Sequence, residues 1–151
     1  MDARHIALIQ GSFEQTAAFG GLLSETFYAE LFAIDPSLRA MFDGDLRRQQ
    51  MKFMMMLALI VRSLHKPEEV LKTVQHLAIK HVGYGVRPEH YSPFGNALLR
   101  TLKKVLGPDY TRDVADAWEE GFRMLARIMK QAELDAAGAE PGLRHSPQPA
   151  E

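Results

Sequence analysis

The chain has 151 residues, of which 46% are hydrophobic and 25% are charged, and this balance is typical of one globular domain with a sizeable buried core. Its 18 lysines and arginines are offset by 19 aspartates and glutamates, so the formal charge is −1 and no surplus of positive potential is available to bind a phosphate backbone. Nucleic acid is therefore not an expected partner.

Cysteine is absent from the sequence, which excludes disulfides, thiolate metal sites and a cysteine nucleophile. A bound metal must therefore be held by histidine or carboxylate side chains. The N-terminal residues lack the basic start and apolar run of a signal peptide, and the apolar run from Phe53 to Val61 is shorter than the ~20 residues that a membrane-spanning helix needs. We therefore expect a cytoplasmic protein with no membrane insertion.

The first part of the chain predicts four helices, because apolar residues recur at intervals of three and four between glycine and proline breaks. The stripes of the first two helices are Ile6, Ile9 and Phe13, then Leu23, Phe27 and Leu31. Asp35-Pro36 supplies a cap and a first-position proline for a short third helix that reaches Phe42. The fourth helix, residues 46 to about 63, contains the apolar run from Phe53 to Val61 and has no polar face there. We therefore expect neighbours to cover this helix on both sides.

Three further helices are predicted in the second part of the chain. Pro67 opens the fifth helix with two acids behind it, and Gly83 ends it; the sixth covers about 90 to 106, with Pro93 tolerated in its first turn. The stripe of the seventh is Val114, Trp118, Phe122, Leu125 and Met129. Residues 135–151 are rich in alanine, glycine and proline and predict a disordered tail, which places the domain at 1–134. No strand pattern appears, so we expect an all-α domain of about seven helices.

One of the six histidines is predicted to lie inside the domain. His81 continues the apolar stripe of Val74 and Ala78, whereas His76 joins charged residues on the opposite face of the same helix. A core histidine bonded to a carbonyl group is the simpler interpretation of His81 taken alone. The consecutive methionines 54–56 point in three directions around a helix, which favours core filling over metal ligation.

Other polar side chains also fall on apolar stripes. Tyr28 lies beside Phe27, and a buried phenol needs a partner, for which an interhelical hydrogen bond suffices. Gln49 shares a stripe with Phe53, although a solvated helix start is the alternative and Gln50 is a rival for the inward position.

A carboxylate is also predicted on the stripe of the last helix. Glu133 needs a hydrogen-bond donor if it is buried, and Tyr91, which heads the stripe of the preceding helix, is a candidate. The alternative is a frayed last turn in which Glu133 is simply exposed to water.

Several segments together resemble one protein family. Residues 26–32, Thr-Phe-Tyr-Ala-Glu-Leu-Phe, and 35–43, Asp-Pro-Ser-Leu-Arg-Ala-Met-Phe-Asp, resemble the second helix and following corner of bacterial globins of the flavohaemoglobin branch. Residues 78–86, Ala-Ile-Lys-His-Val-Gly-Tyr-Gly-Val, the pair His90-Tyr91 and the pair Leu106-Gly107 are similar to the same family. The likeness covers residues 4 to 134 and implies a globin fold around a haem pocket.

The resemblance implies haem b, which is iron protoporphyrin IX, as the cofactor. It implies His81 as the proximal iron ligand, Phe42 packed on the porphyrin, and Tyr28 with Gln49 as the distal pair. Gln49 is preferred over Gln50 because its spacing from Phe42 and His81 matches related single-domain members and because it shares a face with Phe53.

Two further expectations concern the surroundings of the iron. Tyr91 and Glu133 match the pair that hydrogen-bonds the proximal histidine in this branch, where they would make the imidazole more electron-donating. The resemblance also implies that Phe53 lies over the haem, where it departs from the smaller aliphatic residue usual at that position and affects ligand access and the size of the distal pocket.

The resemblance implies a protein that binds oxygen, with nitric oxide and carbon monoxide as further ligands, and that converts oxygen and nitric oxide to nitrate. The 151 residues leave no room for flavin- and nicotinamide-binding modules, so we expect an external reductase. The alternative function is an oxygen store or carrier, or a gas or redox sensor that acts through a partner protein. A globin fold without haem would leave an inward His81 unexplained. We expect a monomer or a weak homodimer.

Overall fold

The structure, a computed structural model, describes residues 1–42, 44–83 and 91–139, without the side chains of 81–83 and 137–139. Within these residues the chain forms helices and no strands, which confirms the predicted all-α class. The α-helices are α1 (Ala3–Ala17), α2 (Leu22–Ile34), α3 (Leu46–Arg62), α4 (Pro67–Gly83), α5 (Tyr91–Leu106) and α6 (Arg112–Ala139). The described residues also contain two 3-10 helices, Pro36–Phe42 and Gly107–Asp109, which follow α2 and α5.

Short polar side chains begin several of these helices. The Asp2 carboxylate accepts a hydrogen bond from the His5 backbone N–H at 2.8 Å, and the Asp45 carboxylate accepts one from the Arg48 N–H at 3.3 Å. Asp35 caps the Pro36–Phe42 helix by accepting from the Ser37 N–H at 3.1 Å. Each carboxylate satisfies a backbone donor that the first helical turn leaves unpaired.

The core lies where α1, α2 and α5 meet α6. α2 packs on α5, α4 packs on α6, and α1 packs on α6. The Trp118 indole N–H of α6 donates to the Ser12 hydroxyl of α1 at 2.8 Å, and that hydroxyl donates in turn to the Leu8 carbonyl oxygen at 2.7 Å. This buried chain of bonds fixes α1 on α6, because the Trp118 indole N–H would otherwise have no acceptor in the core.

The structure corrects two expectations. α3 is not covered on both sides, because Met51, Met55 and Leu59 are 62%, 71% and 50% exposed, while Leu57, Ile60 and Val61 are buried. Met55 is therefore not core filling. The boundary expected at residue 134 falls inside α6, which continues to Ala139 because its alanine-rich end keeps high helix propensity. Residues 140–151 of the predicted tail lie outside the described residues.

No helix in the described ranges combines the length and the apolar character that crossing a bilayer requires.

Replacing two helical glycines by alanine should change stability in opposite directions. A Cβ atom built on Gly95 of α5 would lie 2.6 Å from Cε2 of the Phe122 ring on α6, so Gly95→Ala must displace that ring and should cost ~1–3 kcal/mol of unfolding free energy. Gly11 of α1 has no atom within 4 Å of the same position, so Gly11→Ala should gain ~0.5–1 kcal/mol through helix propensity. Urea unfolding of both variants measures the difference, and equal shifts would contradict close α5–α6 packing at Gly95.

Candidate functional site

The first group of site residues gathers around Tyr28 on α2. Tyr28 is only 3% exposed although its side chain ends in a hydroxyl group. Burial raises the pKa of this hydroxyl to about 12, and the hydrogen bond from Gln49 opposes the shift. Tyr28 therefore keeps its proton at any physiological pH and remains a hydrogen-bond donor.

Gln49 lies on the first turn of α3 that faces Tyr28. Its side-chain Nε2 donates to the Tyr28 hydroxyl oxygen at 3.3 Å. The structure thus joins Gln49, and not Gln50, to the phenol. Because the Gln49 amide supplies the donor in this bond, the phenol proton is free for another acceptor, and no acceptor for it exists among the described residues. The site presents an unused, buried donor.

Aromatic rings enclose the Tyr28 side chain. Phe27, Phe42 and Phe53 all approach it edge-on, with ring centroids at 5.2, 5.3 and 5.8 Å. Phe27 and Phe53 stack on each other at 4.3 Å with their planes 12° apart. Edge-to-face contacts of this kind hold a ring in one orientation. The phenol is therefore fixed between α2, α3 and the Pro36–Phe42 helix.

The second group of site residues links α5 to α6. Tyr91, the first residue of α5, is 5% exposed, and its hydroxyl donates a short hydrogen bond to the Glu133 carboxylate of α6. Burial, and then the Glu133 carboxylate, raise the pKa of Tyr91. The Lys130 ammonium group lies 5.7 Å from the centre of the Tyr91 ring. Glu133 is half-buried and has its donor, so it is not a residue of a frayed helix end.

His81 is the predicted metal ligand, and its side chain lies outside the described residues. Its backbone belongs to the last turn of α4. Earlier in the same helix, Val70, Val74 and Ala78 form a buried row with 3%, 0% and 0% exposure. The motif residues 84–90 also lie outside the described part of the chain. His76, by contrast, is exposed, as predicted.

Histidine, aspartate and glutamate side chains do not by themselves form a metal site in the described residues, because no three of them gather closely enough to hold an ion. The residues present instead fit a planar aromatic cofactor. Aromatic side chains at Phe42 and Phe53 offer packing surfaces, and Tyr28 offers a hydrogen-bond donor without an acceptor. Packing surfaces and a hydrogen-bond donor of this kind are compatible with a haem site.

The raised pKa of Tyr28 predicts how stability changes at alkaline pH. Because the folded-state pKa is about 12 and the unfolded value about 10, the stabilising contribution is complete below pH 10 and is lost as pH rises toward 12. Tyr28→Phe should therefore lose less stability over this interval than the parent chain, by up to roughly 2 kcal/mol. Urea unfolding at several pH values tests this. Identical pH profiles of the unfolding free energy in the variant and the parent chain would contradict a protonated, buried phenol. The stability that Tyr28→Phe still loses at alkaline pH is attributed to Tyr91 and Tyr110, whose pKa values are also raised.

Comparison with known proteins identifies the family. Residues 25–129 match the globin family, which is more than half of the sequence. The chain belongs to the globin family, and the family implies that it binds haem.

Similar sequences include flavohemoproteins from several bacteria. That of Xylella fastidiosa (strain 9a5c) is 32% identical over 131 residues, which are 85% of this chain and 33% of that protein. That of Bordetella pertussis (strain Tohama I) is 30% identical over 138 residues, which are 88% of this chain and 34% of that protein. The chain thus spans about a third of the length of these relatives, and it is homologous to their globin domain.

Solved structures share the fold. An engineered carbene transferase of Rhodothermus marinus, RmaNOD, superposes with a TM-score of 0.79 at 27% identity and covers 93% of this chain and 99% of its own. A bacterial globin from Campylobacter jejuni superposes with a TM-score of 0.78 at 24% identity, covering 91% of this chain and 99% of that one. The second likeness concerns the fold alone.

The sequence interpretation did not assign Phe27 and Lys130 to the site. Phe27 was expected only in the core stripe of α2, yet its ring stacks on Phe53 and touches Tyr28. The available signal was three aromatic residues, Phe27, Tyr28 and Phe32, within one short stretch of α2. No sequence pattern indicated Lys130, because its position over Tyr91 depends on how α5 crosses α6.

Proposed function

We propose that this globin binds haem b, which His81 would hold as the proximal ligand, and that its gaseous ligands are oxygen, nitric oxide and carbon monoxide. The observation that carries the proposal is the buried Tyr28 hydroxyl, which accepts from Gln49 and has its own proton to donate. The haem iron supplies the coordination position for the gas and the redox change. Phe42 and Phe53 would pack against the porphyrin.

The distal residues divide two tasks. Tyr28 donates a hydrogen bond to a ligand that carries negative charge, and a charge-assisted bond of this kind contributes ~1.5–3 kcal/mol. Gln49 holds the phenol oxygen at 3.3 Å and directs its proton away from α3. Phe27, Phe42 and Phe53 prevent the ring from turning and exclude water from the donor. A donor held in this way favours ligands with anionic character over neutral ones.

The Tyr91–Glu133 pair acts on the other side of the proposed site. Tyr91 is the first residue of α5, the α-helix that follows α4 and its His81 along the chain. Its hydroxyl donates a hydrogen bond to Glu133. We propose that this pair orients the His81 imidazole and increases its basicity, as carboxylate partners of ligand histidines do. A more basic imidazole favours the oxidised metal and the activation of oxygen.

From these roles we propose nitric oxide dioxygenation, in which oxygen and nitric oxide become nitrate, with electrons from a separate reductase. The hydrogen bond that Tyr28 donates to an anionic ligand would slow the release of oxygen. Slow release favours a reaction of the bound oxygen over its delivery elsewhere. The relationship to flavohemoproteins, and the name of the Rhodothermus marinus protein as a proposed nitric oxide dioxygenase, support the same reaction. We place the protein in the cytoplasm as a monomer or a weak homodimer.

Two measurements test the proposal. An absorption spectrum of the purified protein should show the Soret band of haem, and a colourless protein would overturn the proposal at once. The oxygenated ferrous protein, mixed with one equivalent of nitric oxide, should then yield nitrate and the ferric form within the mixing time. Oxygen binding without nitrate would favour the oxygen store over the dioxygenase.

A further inference from the structure

The outer side of α3 is an apolar surface that no other part of the described chain covers. Met51, Met55 and Leu59 follow one another at four-residue intervals and are 62%, 71% and 50% exposed. Side chains four apart on a helix lie on one face, so these three form a continuous stripe. Exposed apolar stripes of this kind mark interaction surfaces.

Positive charges border the stripe at its N-terminal end. Arg47, Arg48 and Lys52 are exposed, and none of them forms an ion pair within the described residues. α3 contains no acidic residue, although the whole chain has a formal charge of −1. Arg62 at the other end is paired with Glu14 at 3.0 Å. We call Arg47, Arg48, Met51, Lys52, Met55 and Leu59 the outer α3 face.

Charge complementarity favours an acidic partner over a second copy of this chain as the occupant. A symmetric dimer places the same surface on both sides of the interface. The charged side chains of α3 are all cationic, so a parallel pairing of two outer α3 faces would oppose cations to cations, and such contacts disfavour association. The surface is complementary to an occupant that brings carboxylates to the basic end and an apolar side chain to the stripe.

The chemistry of the stripe favours a protein over a lipid surface. Helices that lie on anionic membranes present tryptophan, phenylalanine or leucine on their apolar face. The stripe here is mostly methionine, an adaptable side chain that is frequent at protein-binding surfaces. The inner side of the same helix carries Gln49 and Phe53, so an occupant is separated from the proposed haem site by one helix, ~10 Å across.

We propose that the outer α3 face docks an acidic electron-donor protein, and this inference rests on the proposed function, which needs a reductant. Carboxylates of the donor meet Arg47, Arg48 and Lys52, and an apolar side chain of the donor contacts Met51, Met55 and Leu59. In the docked pair one electron leaves the reduced flavin of the donor, which is oxidised, and ferric haem iron becomes ferrous. No bond to this chain forms or breaks.

Reduction kinetics test the charges of the outer α3 face. The haem-loaded full chain is mixed with reduced flavodoxin, an acidic flavoprotein, and ferric haem reduction is followed by stopped flow. Lys52→Glu should lower the second-order rate constant about tenfold at low salt, because charges at an interface rim govern association. Lys103→Glu on α5 makes the same charge change elsewhere and should stay within about twofold. Free reduced flavin mononucleotide should reduce all three proteins equally.

A binding measurement tests the apolar stripe. Backbone amide shifts of isotope-labelled protein should move along α3 on addition of oxidised flavodoxin. Met55→Ser should abolish these shifts, whereas Leu134→Ser, an equally exposed site on α6, should retain them.

Several results would overturn the proposal: equal rate constants for Lys52→Glu and Lys103→Glu, shifts outside α3, or self-association through the outer α3 face. Binding of phosphatidylglycerol vesicles in place of flavodoxin, lost in Lys52→Glu, would assign the face to a membrane and also overturn it. A haem-free protein would overturn the proposed function. A haem protein whose α3 amides do not shift would overturn the docking alone.

Discussion

We expect the His81→Gly variant to lose stable haem, while the His76→Ala variant keeps it. Position 81 follows the buried Val74 by two helical turns of α4, and iron would lose its protein ligand if His81 supplies it. His76 is exposed on the same helix and provides a matched control. The ratio of Soret to protein absorbance after gel filtration measures haem retention, and we expect at least about a tenfold fall for His81→Gly, the effect of ~1.4 kcal/mol or more in affinity.

Imidazole added to the His81→Gly protein sharpens the experiment. If the variant fails only because the iron ligand is missing, free imidazole should restore part of the haem binding, whereas a misfolded chain would not respond. Far-ultraviolet circular dichroism of the haem-free variants compares their helix content. Normal haem content in both variants would show that the proximal assignment is wrong.

The second large effect concerns the release of oxygen. Tyr28→Phe removes the hydroxyl but keeps the ring, which the neighbouring aromatic side chains fix. An oxygen ligand of ferrous haem carries partial negative charge, so loss of one charge-assisted hydrogen bond should speed oxygen dissociation about ten- to a hundredfold. Stopped-flow displacement by carbon monoxide measures the rate. Carbon monoxide carries little charge, and its own release should hardly change.

Two glutamine variants separate direct from indirect action in the distal site. Gln49→Leu should speed oxygen release less than Tyr28→Phe, because Gln49 contacts the phenol oxygen and positions it. Gln50→Leu is the matched control, since Gln50 is turned about 100° from Gln49 around α3. An equal change in oxygen and carbon monoxide release on Tyr28→Phe would contradict a distal phenol, and a larger effect at Gln50 would contradict the choice of glutamine.

Helix periodicity was sufficient to predict which residues share a face. The Tyr91–Glu133 bond follows from it, because each residue continues the apolar stripe of its own helix and a buried carboxylate needs a donor. The pairing of Tyr28 with Gln49 was harder to predict, since it depends on how α2 crosses α3, which the pattern within one helix does not contain. The resemblance to globins supplied that crossing.

The outer side of α3 shows where the pattern misleads. A run of apolar residues from Phe53 to Val61 predicts burial all around, but Met55 and Leu59 are exposed. Periodicity reports the chemistry of a helix face and not whether another part of the chain reaches it. The Phe27–Phe53 stack was not predicted for a related reason. Each residue fits the apolar stripe of its own helix, and a stripe does not show which residues of two helices touch.

The single tryptophan of the chain makes the α1–α6 contact visible by its fluorescence. Trp118 is 4% exposed and its indole N–H is bonded to Ser12, so emission from the folded haem-free chain arises at short wavelength and shifts to longer wavelength when water reaches the ring. Bound haem absorbs at the emission wavelength and would quench the emission by energy transfer. Loss of haem therefore raises the intensity without moving the maximum, whereas separation of α1 from α6 moves the maximum, and one spectrum distinguishes a chain that has released its cofactor from a chain that has unfolded.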